Sequence, residues 1–391
     1  MAKRSRSRSS GRSSTSNVSW RLGLVVLALL IVVGIIYGWD TALQMLGLAT
    51  PRPNEIGGVA PPASQVEGDY YTIYFTEPSL YSSGTTSGGI ETHLIDLINA
   101  AQTSIHLAVF EFNLQNVADA LIAAHNRGVE VQIVYDDEHT EDDPQMTQMI
   151  GAGIPATPDQ RGAFMHNKFF IFDSATVWLG SWNVTVNDTF RNNNNAIVIR
   201  SPELAQNYEA EFQEMFNGQF GPTSPANTPY PSFTIGDIRV ESYFSPEDGV
   251  MPRLVDFART AQSTLHFMAF SFTDDDLAGA MIDRASAGVE VLGIFEQRGA
   301  NTEFSACPPM LNAGLDVRLD GNPRTFHHKV VIVDSAAVAI GSFNFSKNAA
   351  ESNDENMIIL YDPSAAALYE EEFNRRWAEA LLPFGGQCLS E

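Results

Sequence analysis

Short apolar runs alternate with amphipathic segments over most of the chain. Residues 105–112 are largely apolar and predict a buried strand, and residues 113–127 carry apolar positions at helical spacing until Gly128 ends the helix. Two further apolar runs, Phe169–Phe172 and Val330–Val333, also predict buried strands. This alternation of strands and helices is typical of the α/β class.

The pattern occurs twice. Residues 105–112, Ile-His-Leu-Ala-Val-Phe-Glu-Phe, recur as Leu-His-Phe-Met-Ala-Phe-Ser-Phe at 265–272, an offset of 160. The tripeptide His-Asn-Lys at 166–168 recurs as His-His-Lys at 327–329, an offset of 161. Each copy spans about 150 residues, too long a period for a solenoid, so the sequence predicts a duplicated domain.

The N-terminal region has a different pattern. From Leu22 to Trp39 there are 18 residues without a charge, close to the ~20 that span a bilayer, so we expect a transmembrane anchor. The basic segment before it predicts a cytoplasmic tail and an extracytoplasmic body. A cleaved signal peptide, with a small-residue site at 47–49 and a secreted body, is the alternative.

The chain, 391 residues long and 44% hydrophobic, can build one large core or two ordinary ones. Stretches rich in Pro, Ser and Gly at 50–68 and 221–233 predict linkers. The predicted segments are a basic cytoplasmic tail (1–21), a transmembrane anchor (22–39), a linker (40–69), a first α/β repeat (70–220), a linker (221–234) and a second α/β repeat (235–387).

The charge distribution restricts the choice of partner. The formal net charge is −24, and residues 1–21 contain six basic side chains and no acid, so the remaining residues carry −30. Such a body repels polyanions, which disfavours a broad nucleic-acid surface but leaves room for a local basic pocket.

Candidate chemistry lies in a motif that occurs once in each copy. In both copies His-x-Lys is followed at identical spacing by Asp and then by Gly-Ser-x-Asn. The residues are His166, Lys168, Asp173, Gly180, Ser181 and Asn183 in the first copy, and His327, Lys329, Asp334, Gly341, Ser342 and Asn344 in the second. Alternation along the strand puts His166 and Lys168 on one face. Asp173 stands at an odd offset from His166 and is predicted to hold the turn at the strand end.

This motif resembles the HKD motif of the phospholipase D superfamily, and the resemblance covers roughly residues 70–385. It implies two α/β repeats, each a mixed sheet flanked by helices, related by a pseudo-two-fold axis. It also implies phosphodiester hydrolysis in which one histidine forms a phosphohistidine and the other protonates the leaving oxygen. No metal or other cofactor is implied. In that family the motif residues, including Asp173 and Asp334, form the catalytic set.

The resemblance assigns further roles around the phosphate. Lys168 and Lys329 would neutralise it as charge gathers on its oxygens. Hydrogen bonds to the phosphate are expected from motif Asn and Ser side chains and from one further asparagine: Ser181, Asn183, Ser342, Asn344 and Asn194.

The two copies differ eleven residues after the motif asparagine, where the second has Glu355 and the first Asn194. In related chains an acid at this position binds the histidine of the opposite half, which would pair Glu355 with His166. A carboxylate raises the basicity of imidazole and fixes its tautomer, so His166 is predicted to be the nucleophile and His327 the general acid. Because Asn194 cannot ionise, we expect His327 to hold its proton with less help. The tyrosyl-DNA phosphodiesterase branch has a similar asymmetry.

Three functions are compatible with these features. We expect a phospholipid hydrolase or transphosphatidylase, with phospholipid as substrate, the membrane as a partner through the anchor, and activity as a monomer. A nuclease with the same site is the alternative, although nucleic acid is disfavoured by the missing basic surface. A non-enzymatic binding domain is disfavoured because both motifs are complete.

The two cysteines, Cys307 and Cys388, leave a choice open. On the outer face of a membrane they could form a disulfide, and two buried free thiols are the alternative.

Three other patterns have local interpretations. Thr273 and Asp274 are predicted to supply the N-cap and the first turn of a helix, and the acidic run 136–143 to form a solvated loop. Trp182 and Phe343, inside the Gly-Ser-x-Asn turns, could line an acyl groove or pack in the core.

Overall fold

The computed structural model describes residues 64–68, 70–140 and 143–389. The predicted tail, anchor and most of the first linker lie outside these residues. Within the described ranges, no helix combines the length and the apolar character that crossing a membrane requires.

The first repeat forms a mixed eight-stranded sheet in the order β1-β2-β8-β7-β6-β3-β4-β5. Its strands are β1 (Ser64–Glu67), β2 (Tyr71–Phe75), β3 (Ser104–Val109), β4 (Glu130–Tyr135), β5 (Ala156–Pro158), β6 (Phe169–Phe172), β7 (Thr176–Gly180) and β8 (Asn195–Arg200). Its helices are α1 (Glu91–Ala100), α2 (Gln115–Asn126), α3 (Asp137–Thr140), α4 (Pro144–Gly151), α5 (Val186–Phe190) and α6 (Pro202–Phe216).

The second repeat forms another mixed eight-stranded sheet, ordered β13-β12-β11-β14-β15-β16-β10-β9. Its strands are β9 (Ser232–Ile235), β10 (Ile238–Ser245), β11 (Thr264–Ala269), β12 (Glu290–Phe295), β13 (Asp316–Leu319), β14 (Lys329–Val333), β15 (Ala337–Gly341) and β16 (Glu355–Leu360). Its helices are α7 (Val250–Arg259), α8 (Asp275–Ser286), α9 (Cys307–Asn312), α10 (Lys347–Glu351) and α11 (Pro363–Glu379).

The predicted α/β class with two repeats is confirmed, and local signals explain its elements. In each sheet three strands are parallel, and α2 and α8 make the crossover that consecutive parallel strands require. Asp274 accepts a hydrogen bond from the backbone N–H of Leu277, so the predicted capped helix start is confirmed, with Asp274 as the cap one residue after Thr273. Gly128 follows α2 with φ of 94°, a left-handed conformation that glycine adopts without strain.

The largest shared core lies between the repeats. It combines apolar side chains of both sheets with residues of α6 and α11, including Phe169 and Val330 from the motif strands and Tyr208 and Tyr369 from the two helices. Burial of this layer holds the motif strands of the two repeats against each other.

Two open alternatives are decided by packing. Cys307 and Cys388 form a disulfide that ties the start of α9 to the C-terminal segment. Trp182 and Phe343 are only 2% exposed and belong to the core clusters of their own repeats, so the suggestion that they line a groove is wrong.

The disulfide makes a testable contribution to stability. It closes a separation of 81 residues. Replacing both cysteines by serine should lower the free energy of unfolding by about 2–5 kcal/mol, because the cross-link restricts the unfolded chain. Thermal and denaturant unfolding measure this loss. Denatured, unreduced protein should show no thiol reactive with a chromogenic disulfide reagent, and two reactive thiols would contradict the pairing.

Candidate active site

The two motif histidines are placed by backbone pairing between the repeats. The His166 N–H donates to the carbonyl of Asp354 at 2.9 Å, and the Asp354 N–H donates to the carbonyl of Phe164 at 2.9 Å. The segment before His166 therefore pairs with the segment before Glu355.

The same pairing occurs with the repeats exchanged. The His327 N–H donates to the carbonyl of Asn193, and the Asn193 N–H donates to that of Thr325, both at 2.9 Å. Each histidine is therefore hydrogen-bonded to the residue just before the key position of the other repeat, which is position 355 for His166 and 194 for His327.

A buried acid fixes each of these crossing segments. Asp136 Oδ2 accepts the N–H of Met165 at 3.1 Å, and Glu296 Oε2 accepts that of Phe326 at 2.6 Å. Asp136 is 1% exposed, so describing the start of the 136–143 run as a solvated loop was wrong. Its position at the end of a parallel strand, as for Glu296, is the signal that could have identified it.

His166 is held by Glu355. The His166 Nδ1 atom lies 2.7 Å from Glu355 Oε2, which also accepts the Ser342 hydroxyl at 2.7 Å. Asn353 Nδ2 donates to Glu355 Oε1 at 3.4 Å. Because every partner of Glu355 can donate, the carboxylate form satisfies them all, and His166 then carries its proton on Nδ1 and a lone pair on Nε2.

His327 occupies the equivalent position with a neutral partner. Its Nδ1 lies 2.9 Å from Asn194 Oδ1, which also accepts the Ser181 hydroxyl at 2.9 Å. Asn194 Nδ2 donates to the carbonyl of Asp188 at 3.2 Å, which orients the amide. Asn194 therefore accepts the same two kinds of donor as Glu355.

The two lysines lie beside the histidines. Lys168 Nζ donates to the His166 carbonyl at 2.7 Å, and Lys329 Nζ donates to that of His327 at 2.9 Å. Each ammonium lies 4.8 Å from the ring centre of a phenylalanine, Phe110 or Phe270. This contact stabilises the buried ammonium group.

Phe110 and Phe270 are site residues that sequence reasoning missed. Each ring also packs edge-on against the histidine of its own repeat, with ring centres 4.7 Å apart. Their recurrence at an offset of 160 was the available signal.

One cleft of about 610 Å³ contains both histidines. Asn183 and Asn344 also line it, and the Oδ1 atoms of both are buried without a hydrogen-bond partner among the described residues. Its other lining residues include five phenylalanines, three acids and one arginine: Phe110, Phe164, Phe270, Phe272, Phe295, Glu111, Asp188, Glu296 and Arg298.

Electrostatics favour neutral imidazoles in the free site. Burial, followed by the charges of Lys168 and Lys329, lowers the pKa of both His166 and His327 well below its usual value. Burial lowers the pKa of Lys168 to about 8 and raises that of Glu355 to about 8. A neutral His166 is a competent nucleophile near pH 7.

Three predicted phosphate-binding residues lie behind the histidines. Ser181, Ser342 and Asn194 are fully buried. Their side chains bind one another, the histidines, Glu355 and neighbouring backbone groups. They therefore orient the site, and the expectation that they contact phosphate is corrected. Of the five residues predicted to bind phosphate, Asn183 and Asn344 line the cleft.

Asp173 and Asp334 also lie outside the histidine cluster. Asp173 follows β6 with φ of 51°, and its carboxylate accepts the N–H groups of residues 102–104 at 2.7–3.1 Å. Asp334 makes the equivalent bonds to residues 262–264. Their inclusion in the catalytic set is corrected, because both carboxylates fasten the loop before the neighbouring strand.

One acidic group has the spacing of a metal site among the described residues. One carboxylate oxygen from each of Asp136, Asp137 and Asp159 lies within 4.8 Å of the others. Asp136 and Asp159 already accept backbone N–H groups, and Arg161 Nε lies 3.7 Å from Asp159 Oδ2. These contacts give the group a structural role.

Comparisons with known proteins point to one family. The family model described as cardiolipin synthase, PLD-like domain, matches residues 94–216 and 254–377. A mitochondrial cardiolipin hydrolase of Chlamydomonas reinhardtii is 32% identical over 127 residues, which cover 32% of this chain and only 57% of that protein. A phospholipase D of Rickettsia prowazekii is 28% identical over 175 residues, which cover 44% of this chain and 85% of that protein.

A solved structure shows the same fold over most of the chain. The phosphatidylserine synthase of Haemophilus influenzae superimposes with a TM-score of 0.60 at 17% identity, covering 82% of this chain and 89% of that one. At this identity the likeness concerns the fold alone.

The structural role of Asp173 can be tested. Asp173→Asn should lower the free energy of unfolding by about 1–2 kcal/mol, because an amide cannot replace all of the hydrogen bonds that the carboxylate accepts. Turnover per folded molecule should stay within about twofold, since the side chain is outside the cleft. Calorimetry and assays at matched folded fraction measure the two effects.

The pH dependence has a defined sign. Burial tends to raise the pKa of Asp173, but hydrogen bonds from Thr103 and Gln102 outweigh it and lower this pKa. Its contribution is therefore present above the unfolded pKa of about 4 and is lost as pH falls through the folded value. Asp334→Asn is the matched variant. Loss of turnover in a stable Asp173→Asn protein would return this residue to the catalytic set.

Proposed function

This chain belongs to the phospholipase D superfamily and has the site of a phosphoric diester hydrolase, and we propose that it cleaves the headgroup phosphodiester of phospholipids through a phosphohistidine intermediate. The observation that carries the proposal is the pair of histidines, one from each repeat, in a single cleft. Two imidazoles that face one space can serve as nucleophile and leaving-group acid for the same phosphate.

The first step follows from the arrangement around His166. Its Nε2 atom attacks phosphorus while Glu355 accepts a hydrogen bond from the Nδ1–H group. The bond between phosphorus and the headgroup oxygen breaks at the same time. The negative charge of the bound phosphodiester favours the imidazolium form of His327, which protonates that oxygen. Lys168, Lys329, Asn183 and Asn344 stabilise the charge on the remaining phosphate oxygens.

The second step reverses the proton transfer. His327, now neutral, takes a proton from water as water attacks the phosphohistidine, and phosphatidic acid leaves. A primary alcohol in place of water would give a transfer product by the same route.

Three features support phospholipid over nucleic acid. Five phenylalanines line the cleft, which suits the apolar part of a lipid. The body has a formal charge of −30 when residues 1–21 are left out of the net −24, and it repels polyanions. Two of the relatives are named for hydrolysis of phospholipids.

The proposed setting is a membrane with the catalytic body on its outer side. The apolar run 22–39 and the basic tail support this orientation. The disulfide fits an oxidising compartment. We propose a monomer as the active form because both histidines come from one chain.

Ionisation of Glu355 should control the first step. Burial raises its pKa to about 8, so the acceptor form that binds His166 gains population as pH rises towards that value. Phosphoenzyme formation should therefore rise along an acid limb with its midpoint near this pKa. Glu355→Gln should remove the limb and slow the step about 10- to 100-fold. Rapid-quench measurement of labelled phosphoenzyme tests both effects, and an unchanged rate would exclude Glu355 from the chemistry.

The proposed function is tested with the full chain in detergent or liposomes. The panel contains phosphatidylcholine and cardiolipin vesicles, a cyclic and a linear phosphodiester, and single-stranded DNA. We expect phosphatidic acid as product from the phospholipid substrates, and an alcohol adduct when ethanol is added. Degradation of DNA without lipid turnover would replace the proposal by the nuclease alternative.

Two matched variants test the assigned roles. His327→Asn should still form the adduct from an activated phosphodiester, because a good leaving group needs no general acid. His166→Asn should form none. An adduct on His327 in the His166→Asn protein would reverse the two roles.

A further inference from the structure

The two histidines differ in the charge of the side chain that contacts each Nδ1 atom. His166 contacts the carboxylate of Glu355 directly, whereas His327 contacts the neutral amide of Asn194. The missing charge in the first repeat raises the question of what helps His327 to hold a proton.

The structure contains a second carboxylate at this point. Asp188 Oδ2 lies 3.9 Å from His327 Nδ1, and the side chain of Asp188 is only 4% exposed. Its backbone carbonyl accepts the Nδ2–H of Asn194, and its Oδ2 accepts the N–H of Asn183. Among the described residues, His327 is the basic side chain within ion-pair distance of the Asp188 carboxylate.

The repeats show that this acid occupies a different position from Glu355. Asp188 follows His166 by 22 residues, and the residue that follows His327 by 22 is Ala349, which carries no charge. Position 28 after the histidine is Asn194 in the first repeat and Glu355 in the second. Each repeat therefore has one carboxylate near the histidine of the other repeat, but the carboxylate follows the repeat's own histidine by 22 residues in the first repeat and by 28 in the second.

We propose that Asp188 is a positioning residue for His327: it supplies the negative charge that Asn194 lacks and favours the imidazolium form of His327 in the substrate complex, from which the leaving oxygen takes its proton. This inference rests on the proposed function, in which His327 is the general acid. A carboxylate at 3.9 Å stabilises imidazolium less than direct contact at 2.7 Å.

The asymmetry suits the two tasks. The nucleophile benefits from a strong acceptor on Nδ1, whereas an acid must hold its proton and then release it. The groups that oppose protonation of His327 are burial and the charges of Lys329, Lys168, His166 and His328. Glu111, Glu296 and Arg298 also line the cleft, and among the described residues Asp188 is the carboxylate within ion-pair distance of His327.

The test compares Asp188→Asn with the wild type on two probes. With phosphatidylcholine vesicles, the alkaline limb of the kcat/KM profile should move to lower pH by about one unit, because one nearby charge is removed. With bis(p-nitrophenyl) phosphate, whose leaving group needs no proton, kcat/KM should change less than about twofold. Equal losses on both probes would indicate a structural role and overturn the proposal.

A double variant provides the matched rescue. Asp188→Ala combined with Asn194→Glu gives the first repeat the Ala349 and Glu355 arrangement of the second. It should restore the alkaline limb that Asp188→Ala alone displaces. Failure of rescue in a protein with wild-type thermal stability would count against charge as the function of Asp188.

A titration independent of turnover separates this inference from the proposed function. Nitrogen NMR of labelled histidines, with His327 assigned from the His327→Asn protein, should show a pKa about one unit lower in Asp188→Asn. An unchanged pKa overturns the role of Asp188 even if lipid is cleaved. Absence of turnover on every phosphodiester, with the pKa shifted, would reject the proposed function and leave the charge contact supported.

Discussion

The backbone pairing between residues that precede the two histidines is the constraint on which the rest of the site depends. His166 pairs with Asp354 and His327 with Asn193, each across the boundary between repeats. A backbone hydrogen bond fixes direction as well as distance. Once these pairs form, residues 355 and 194 can only lie beside the histidine of the opposite repeat. The carboxylates of Asp136 and Glu296 accept backbone N–H groups of the same segments and so help to fix them.

Burial of charge is the main cost of this arrangement. Lys168 and Lys329 are both fully buried, and burial lowers the pKa of each lysine. Backbone carbonyls and the faces of Phe110 and Phe270 stabilise the two ammonium groups. In the proposed function, the negative charge of the phosphodiester offsets part of this burial cost.

Duplication and divergence together explain the division of labour. The repeats share the histidine, lysine, serine and asparagine positions, so the two halves of the site are built alike around the histidines. They differ in where the carboxylate lies, with Glu355 in direct contact with His166 and Asp188 at 3.9 Å from His327. A symmetric site would give two equivalent imidazoles, whereas this one makes them chemically distinct.

The duplication, the buried motif strands and the residue types of the site can be read from the sequence alone, because periodicity and spacing are properties of a linear chain. The pairing of His166 with Glu355 was also predicted, but only through resemblance. Which side chains reach the cleft depends on the three-dimensional packing. Ser181 and Asn194 lie behind the histidines, Trp182 packs in the core, and Asp188 approaches His327. These outcomes depend on contacts between residues that are distant in sequence, such as the hydrogen bond between His166 and Glu355, which are 189 residues apart. The local sequence pattern carries no information about such contacts.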